Sequence, residues 1–574
     1  MSVATQTPGA RLAAAGSSPP SRGGGGWIWT RGVPVVAVLL GLVLRLRLRE
    51  YTFNRSLFPD EVTLTHDVVG RTFGQLLHVN PNGQAAPIGW LWTSKVATVV
   101  FGQHDLTLRL VPFLASVVAL LLFPYVGREL VGRWAMPAAL LLFATSPALI
   151  YYASEAKQYS SDVTCTLLAL AITLAVYQRR PGPRPALAWA LLASGVIWFS
   201  QPGILLVALG GAVLALRWLR RPQGLRWLIV AAVPPLVVLG IDYVVVLRDQ
   251  AASTLLKNYW AAGSPPAPLQ LRSASSWLYR DVNNALGDPG HLAHPVLVLT
   301  LCAVGALVLV SRRAWRWPTL LLLSPLLIAV IVGVARVYPL RQRLALYLLP
   351  LVYLLMCSGL RVLDQALRPR LRIWGQGVVA AVVAVMVGVT RDRGSPAESR
   401  SWPARWITPF ADHYRKGDAI YREYPWAAVD YSYYAPRHPQ LARPGLFRFV
   451  SGHAACAHAP DLSRLRVHQR AWVYFEESCR QGAARLHEDL PVLLPECGHT
   501  ARQLHPPRSV RRRLPVPGHR FGSGAAAGLA AEHVLRPPVE VSQSRVTRCR
   551  ARMYSASTPS RQVSFLPSSR ERAL

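Results

Sequence analysis

Long apolar runs separated by short basic segments dominate the first 390 residues of the chain. A membrane-spanning helix needs about 20 mostly apolar residues, and fewer where arginine side chains reach the surface at its ends. The uncharged stretch 185–216 is too long for one span, and Ser200-Gln201-Pro202-Gly203 predicts a break within it. The pattern predicts about eleven spans, at 27–44, 107–127, 134–153, 163–178, 185–199, 203–217, 227–247, 294–311, 317–335, 344–360 and 373–390.

The segment Pro87–Gly102 could cross the membrane or lie in its plane, and the choice reverses the direction of every later span. The positive-inside rule distinguishes the two cases. With an in-plane segment, nineteen arginines fall in the cytosolic pieces, and the short outer loops hold four basic residues. We therefore expect an in-plane segment, a cytosolic N-terminus and an outer C-terminus.

The fold class predicted is an all-α polytopic membrane domain followed by a smaller outer domain. Strand-like stretches such as AIYREY and RAWVYF favour an α/β fold for that outer domain. The expected organisation is a disordered cytosolic N-terminus (1–26), a membrane domain (27–390) whose first outer loop (45–106) carries juxtamembrane helices, an outer C-terminal domain (391–505) and a disordered basic tail (506–574).

Composition excludes several classes of protein. Hydrophobic residues make up 52% of the chain and charged residues 16%, against about 25% charged in soluble domains. The net charge of +35 would suit a nucleic-acid binder, but the apolar runs would not, so we expect no nucleic-acid partner. No Cys/His spacing is typical of a structural metal site. The bias towards arginine over lysine is typical of GC-rich coding sequences and favours a bacterial cell membrane.

Two acidic centres fall on the outer side. Asp60 and Glu61 follow the first span, and the short loop 151–162 contains Glu155 and Asp162. Charges at a membrane boundary are costly unless they are paired or functional. Two such centres on one face favour an active site over the alternative, in which Asp60 only caps a helix or pairs with an arginine such as Arg49 or Arg55.

A third feature is a set of arginines in a short outer loop, Arg336, Arg341 and Arg343, which breaks the inside-positive pattern. Guanidinium groups suit a phosphate because they offer bidentate donors. The alternative is ordinary contact with lipid head groups. Arg109 and Lys157 are candidates to join such a phosphate site.

These motifs together resemble the glycosyltransferase C superfamily, and more narrowly family 39, the protein mannosyltransferase and aminoarabinose transferase group. The residues that carry the resemblance are Asp60-Glu61, Arg109-Leu110-Val111-Pro112, Ser146-Pro147, Tyr151-Tyr152, the stretch from Glu155 to Asp162, and Tyr338-Pro339, Arg343 and Leu349-Pro350. One position departs from the pattern. Many relatives have His or Lys before a Pro-Pro pair, whereas this chain reads Gln84-Ala85-Ala86-Pro87, with Lys157 as the candidate replacement.

The resemblance implies transfer of a sugar from a polyprenyl phosphate, within the membrane lipid, to an acceptor outside it. A glycosyl phosphate has a stable anionic leaving group, so it needs cations more than an acid. Arg109, Lys157, Arg336, Arg341 and Arg343 are the candidates for that role, with Tyr159 also in the substrate site. The acceptor hydroxyl needs a base, for which Asp60 is the first choice. Glu61 would orient Asp60 or bind the acceptor.

Asp162 or Glu155 would hold sugar hydroxyls or stabilise positive charge at the anomeric carbon. No cofactor is implied, and we expect no metal ion, because a divalent cation would sit beside arginines and a lysine. The acceptor stays open among protein, lipid and polysaccharide.

Two other classes of function compete. A secondary transporter or lipid flippase predicts internal repeats and ionisable groups at mid-membrane. A catalytically inactive scaffold would use its outer C-terminal domain to bind a partner.

Overall fold

The computed structural model describes residues 41, 44–78, 84–131, 136–266, 270–287, 290, 292, 294–311, 316–367, 411–412, 414, 419–422, 433–439, 441, 470–474, 500–504, 539–542 and 550–554. The predicted N-terminus (1–26) and last span (373–390) lie outside the described residues, and so does nearly all of the predicted span 27–44.

The described part of the membrane domain is almost entirely helical. Its helices are 44–52 (α1), Pro59–Gly70 (α2), Ile88–Phe101 (α3), Asp105–Leu108 (α4), Leu110–Val131 (α5), Met136–Thr145 (α6), Pro147–Tyr152 (α7), Tyr159–Tyr177 (α8), Pro183–Phe199 (α9), Gln201–Trp218 (α10), Gly224–Asp242 (α11), Arg248–Ala252 (α12), Thr254–Tyr259 (α13), Leu271–Gly287 (α14), Pro295–Ser311 (α15), Arg316–Val334 (α16) and Leu349–Leu367 (α17). A π-helical turn, Tyr243–Leu247, joins α11 to α12, and short 3₁₀ helices occur at Gln75–Leu77, Ala261–Gly263, Gln342–Leu348 and Ala435–Arg437.

Helices occupy nine of the eleven predicted span positions. Among the described residues, six stretches are long and apolar enough to cross a membrane. They are Leu110–Val131, Tyr159–Tyr177, Gln201–Trp218, Gly224–Ala252, Trp317–Val334 and Gln342–Leu360. The chain is therefore a multi-pass membrane protein.

A serine one or two residues before a proline marks two of the helix boundaries. The predicted break at Ser200 is confirmed: α9 ends at Phe199, and the Ser200 hydroxyl accepts a hydrogen bond from the Gly203 amide at 3.0 Å to cap α10. The prediction of one helix over 134–153 is wrong. Ser146 leaves the helix and caps α7, because Pro147 suits the first turn of a new helix but not a helix interior.

Close helix packing fixes the last described span. A Cβ atom on Gly305 of α15 would lie 2.2 Å from the Leu355 carbonyl oxygen, and one on Gly359 of α17 would lie 2.1 Å from the Leu301 carbonyl oxygen. Glycine at both positions lets the two backbones touch, as small residues do between membrane helices. This contact anchors α17, and thereby the 3₁₀ segment before it that carries Arg343.

Helix α3 corresponds to the segment whose orientation the sequence left ambiguous. Its 14 residues span about 21 Å, short of the roughly 30 Å hydrocarbon thickness. The chain on both sides of α3 contacts residues around the start of α2. Before α3, Gln84 contacts the Lys157 amine that also binds Asp60; after it, Arg109 donates to the Arg55 carbonyl. The in-plane orientation of α3 stays a prediction.

Five short strands follow the membrane domain in sequence: Ala419–Arg422 (β1), Arg470–Tyr474 (β2), Thr500–Leu504 (β3), Val539–Ser542 (β4) and Arg550–Tyr554 (β5). They form one sheet in the order β1-β2-β4-β5-β3. Strands β1/β2 and β3/β5 pair in parallel, whereas β2/β4 and β4/β5 pair antiparallel.

Strands β1 and β2 coincide with the stretches AIYREY and RAWVYF that suggested strands in the sequence. The α/β domain over 391–505 stays a prediction. The disordered tail over 506–574 also stays a prediction; strands β4 and β5 fall within its bounds.

Candidate active site

The site begins at the N-terminus of α2, where the extended loop 54–58 turns into the helix. Pro59 occupies the first turn, and the Phe58 amide donates to Glu61 Oε2 at 2.8 Å, closing the helix start. Asp60 and Glu61 both fall in this first turn, where the helix dipole favours negative charge. Because successive residues of a helix are rotated by about 100° around its axis, the two carboxylates point in different directions.

Asp60 lies between two cations that come from distant parts of the chain. Its Oδ1 accepts a hydrogen bond from Lys157 Nζ at 3.0 Å, and its Oδ2 forms an ion pair with Arg343 at 2.5 Å. Burial raises the pKa of Asp60, but the charges of Arg343 and Lys157 outweigh that effect and hold the pKa well below its usual range. Asp60 is therefore ionised at neutral pH, and its carboxylate retains 15% exposure.

Lys157 is held by a second partner besides Asp60. Its Nζ donates to Gln84 Oε1 at 2.7 Å, and its side chain is only 3% exposed. Burial lowers the pKa of Lys157, while the nearby Asp60 charge raises it. Gln84 is the position that departs from the family pattern. The contact supports the prediction that Lys157 supplies the positive charge otherwise absent there.

Arg343 lies among aromatic rings as well as beside Asp60. Its guanidinium carbon is 5.5 Å from the centroid of the Tyr159 ring and 5.9 Å from that of Trp260. The first contact joins two predicted substrate residues, and the second involves the residue directly after α13. Cation–π contacts of this kind keep a guanidinium oriented while leaving its N–H groups available.

Glu155 lies in the loop between α7 and α8 and is 2% exposed. Among the described residues, its Oε2 has no hydrogen-bond partner. Burial, followed by the neighbouring Glu61 charge, raises the pKa of Glu155 to about 7, and Arg343 partly offsets this. The side chain thus holds a proton for a large fraction of the time near neutral pH, unlike Asp60.

Glu61 binds the first loop to its neighbours rather than facing Lys157 and Arg343. The Ala156 amide donates to Glu61 Oε1 at 2.7 Å, and the guanidinium groups of Arg55 and Arg109 lie 3.9 and 3.6 Å from the same oxygen. Arg109 also donates to the carbonyl groups of Arg55 and Ser56. These contacts support a positioning role for Glu61 and Arg109, with the Arg109 donors directed at protein.

Asp162 lies at the same end of the helix bundle as Asp60, because it is one turn into α8, just after Lys157. Its Oδ1 accepts a hydrogen bond from the Ser200 hydroxyl at 2.6 Å, the same serine that caps α10. The two predicted catalytic carboxylates therefore lie at the same end of the bundle but have different partners.

The three predicted phosphate-binding arginines separate in space. Arg336 adopts a left-handed backbone (φ 59°) and donates to the Pro265 carbonyl at 2.7 Å. Arg341 lies beside the same segment, since a Cβ atom on Gly263 would lie 3.1 Å from the Arg341 Cβ. Of the three arginines, Arg343 is the one that pairs with Asp60.

The chain was compared with protein families, curated proteins and solved structures. No family model matches it, and no curated protein does. It is similar to ArnT from Cupriavidus metallidurans in the apo state (TM-score 0.44, 15% identity, covering 80% of this chain and 95% of that chain). It is also similar to the same protein bound to undecaprenyl phosphate (TM-score 0.44, 15% identity, covering 79% and 95%).

A third similar structure is the archaeal oligosaccharyltransferase AglB from Archaeoglobus fulgidus, in complex with an inhibitory peptide and a dolichol-phosphate (TM-score 0.45, 13% identity, covering 82% and 73%).

Three residues at or beside the site were not predicted as site residues. Gln84 was noted only as a departure, Arg55 only as a possible partner of Asp60, and Trp260 belongs to no motif. Gln84 had a detectable signal, namely an uncharged residue where a cation was expected. The described residues contain no group of three or more His, Cys, Asp or Glu side chains placed to hold a metal ion.

Proposed function

We propose that this protein is a membrane glycosyltransferase that moves a sugar from a polyprenyl-phosphate donor to an acceptor hydroxyl at the outer face of a bacterial cell membrane. The observation that carries the proposal is the position of Asp60 between Lys157 and Arg343, at 3.0 and 2.5 Å, beside the ends of apolar helices. A carboxylate and two cations in one place supply the charges that glycosyl-phosphate chemistry needs.

The donor phosphate and Asp60 compete for the same two cations. A polyprenyl-phosphate sugar is a phosphodiester with one negative charge, so Lys157 and Arg343 can bind it with charge-assisted hydrogen bonds. As they turn towards the phosphate, Asp60 loses the charges that hold its pKa down. Its pKa then rises towards the usual range, and Asp60 becomes a better base when the donor is bound.

The transfer step balances with these groups alone. The acceptor oxygen forms a bond to the anomeric carbon and gives its proton to Asp60, while the bond from that carbon to the phosphate oxygen breaks. The departing polyprenyl phosphate gains a second negative charge, which Lys157 and Arg343 stabilise. A single base and direct displacement invert the anomeric configuration. In this scheme no metal ion takes part.

The remaining residues assist this step. Glu155, partly protonated near neutral pH, can donate a hydrogen bond to a sugar hydroxyl or to the phosphate. Tyr159 and Trp260 orient Arg343. Glu61 and Arg109 fix the loop that presents Asp60. Asp162, whose Oδ1 accepts a hydrogen bond from Ser200, is a candidate to hold a sugar hydroxyl.

A transporter or flippase is favoured less because Asp60, Glu155 and Lys157 lie outside the six candidate spans, and Asp162 and Arg343 lie within one turn of a span end. That class places its ionisable groups near mid-membrane. A catalytically inactive scaffold does not need a carboxylate held between a buried lysine and a partly buried arginine.

The proposal can be tested by following label from polyprenyl-phosphate mannose and polyprenyl-phosphate arabinose in vesicles containing the purified full-length chain and membrane extract. Asp60→Asn should lower the transfer rate at least about 100-fold, the usual contribution of a general base. Asp249→Asn is a matched control, since Asp249 pairs only with exposed Arg248 among the described residues. Label in the lipid, protein or polysaccharide fraction identifies the acceptor class. Equal rates for Asp60→Asn and wild type would remove Asp60 from the mechanism.

A further inference from the structure

A cluster outside the catalytic residues joins the chain after the membrane domain to the first outer loop. Asp105, the first residue of α4, accepts hydrogen bonds from the Tyr433 hydroxyl at 3.1 Å and the Tyr434 hydroxyl at 3.2 Å, and pairs with Arg437 at 2.8 Å. The Arg437 guanidinium also lies over both tyrosine rings, 4.5 and 4.9 Å from their centroids. We call these four residues the Asp105 clasp.

One member of the clasp reaches further than the others. The Tyr434 hydroxyl accepts a hydrogen bond from the Leu57 amide at 2.7 Å while it donates to Asp105. A phenolic oxygen can do both at once. Leu57 is fully buried and Tyr434 nearly so. Leu57 precedes Phe58, the N-cap residue of α2, and Asp60 is the second residue of that helix.

Other contacts fix the neighbouring residues of the same loop. Arg109 binds the carbonyl groups of Arg55 and Ser56, and Glu61 binds the Phe58 amide. The Leu57 amide lies between these points, and its partner is Tyr434, which is 377 residues away in the sequence. A buried amide without a partner is costly. Without the Tyr434 hydroxyl, the loop would have to move to solvate this amide.

The protonation states agree with this geometry. Burial, and then the Asp105 charge, raise the pKa values of Tyr433 and Tyr434 far above neutral. Both hydroxyls therefore remain donors to Asp105 over the physiological range of pH.

We propose that Tyr434 is a positioning residue, which fixes the backbone that presents Asp60 through its hydrogen bond with the Leu57 amide. Its kinetic consequence rests on the proposed transferase function. The link makes the geometry at Asp60 depend on a segment that lies beyond the membrane domain in sequence. The outer chain would thus be part of the working enzyme and not an independent appendage.

Tyr433 provides a matched control within the same cluster. Its hydroxyl donates to Asp105, whereas the Leu57 amide donates to Tyr434. Tyr433→Phe and Tyr434→Phe each remove one hydroxyl and keep the ring that stacks with Arg437. A purely structural clasp predicts similar effects of both variants. A positioning role predicts that only Tyr434→Phe disturbs the Asp60 loop.

The test combines amide hydrogen exchange on the full-length protein with the transfer assay. In Tyr434→Phe, the peptide covering 54–60 should exchange about tenfold faster, the size of one lost hydrogen bond. Transfer kcat should fall several-fold at an unchanged donor KM. Tyr433→Phe should leave both quantities near wild type.

Exchange of residues 54–60 at the wild-type rate in Tyr434→Phe would overturn the inference, as would equal acceleration in the two variants. The exchange measurement decides this even if the wild-type protein transfers neither labelled sugar. Failure of the proposed function and failure of the clasp are therefore distinguishable.

Discussion

Replacement of Arg343 is the sharpest test of how the site holds phosphate. The sequence placed Arg336, Arg341 and Arg343 together as phosphate ligands, but only Arg343 pairs with Asp60 in the structure. Arg336 donates instead to the Pro265 carbonyl, in the segment between α13 and α14. Arg343→Gln and Arg336→Gln are the same chemical change at two ends of one short segment. Any difference between their transfer kinetics therefore reflects where the two side chains lie.

The expected magnitude follows from the contact that is lost. Arg343 is a partly buried cation, with 18% of its side chain exposed, paired with a carboxylate of similar exposure. A charge-assisted hydrogen bond in such a place contributes about 1.5–3 kcal/mol. At about 1.4 kcal/mol per factor of ten, its loss lowers donor affinity roughly 10- to 150-fold. The kcat value should fall as well, because the same cation stabilises charge on the leaving phosphate.

The assay is donor-concentration dependence of transfer over a range of pH. Arg343→Gln should raise the donor KM and lower kcat, whereas Arg336→Gln should stay within about threefold of wild type, as expected of a surface substitution. Because Arg343 helps to hold the pKa of Asp60 down, the acid limb of kcat/KM should also move to higher pH in Arg343→Gln. Equal donor KM increases in the two variants would refute a phosphate role specific to Arg343.

Two further predictions concern buried carboxylates. The pKa of Glu155 is raised from 4.5 to about 7, so folding favours its protonated form. The resulting stability is present below the unfolded value and is lost as pH rises through about 7. Glu155→Gln, which stays neutral, should therefore gain folding stability relative to wild type as pH rises from about 5 to 8, by at most about 3 kcal/mol at pH 8; a constant difference in Tm between the two proteins across this range would contradict the assignment. Glu61→Gln should leave the Arg55 and Arg109 charges buried without their carboxylate, at a cost of about 3–5 kcal/mol in folding stability. Thermal unfolding in detergent, with Asp249→Asn as control, measures this, and an unchanged Tm would show that Glu61 is not needed to hold the loops.

The membrane domain could be predicted because its signals are local. Apolar runs and arginine placement located nine helical positions that the structure describes, and the Ser200 break followed from residues at the break itself. The helix over 134–153 was mispredicted for a related reason. Hydropathy averages across Ser146-Pro147 and cannot register that one serine side chain caps a new helix start.

The candidate site was predictable only in part, since side-chain direction depends on tertiary packing. Motif order grouped Asp60, Lys157 and Arg343, whose roles stay predictions, and the structure brings Lys157 and Arg343 to Asp60. It could not separate Glu61 from Asp60, although the helix turns adjacent residues by about 100°. Nor could it detect the link of Tyr434 to Leu57, which has no periodicity or spacing and arises from two segments meeting in space.

The separation of the two adjacent carboxylates explains how one loop can be rigid and chemically responsive at once. Glu61 is 1% exposed and engages an amide and two guanidinium groups, none of which a bound donor could take without dismantling the loop. Asp60 engages Lys157 and Arg343 at an edge with 15% exposure, so a phosphate can replace it as their partner. In the proposed mechanism, the contacts of Glu61 therefore set the position of Asp60. The transfer of Lys157 and Arg343 from Asp60 to the phosphate sets the basicity of Asp60. Because these functions lie on different residues, substitutions at Glu61 should act on stability and those at Lys157 or Arg343 on donor binding.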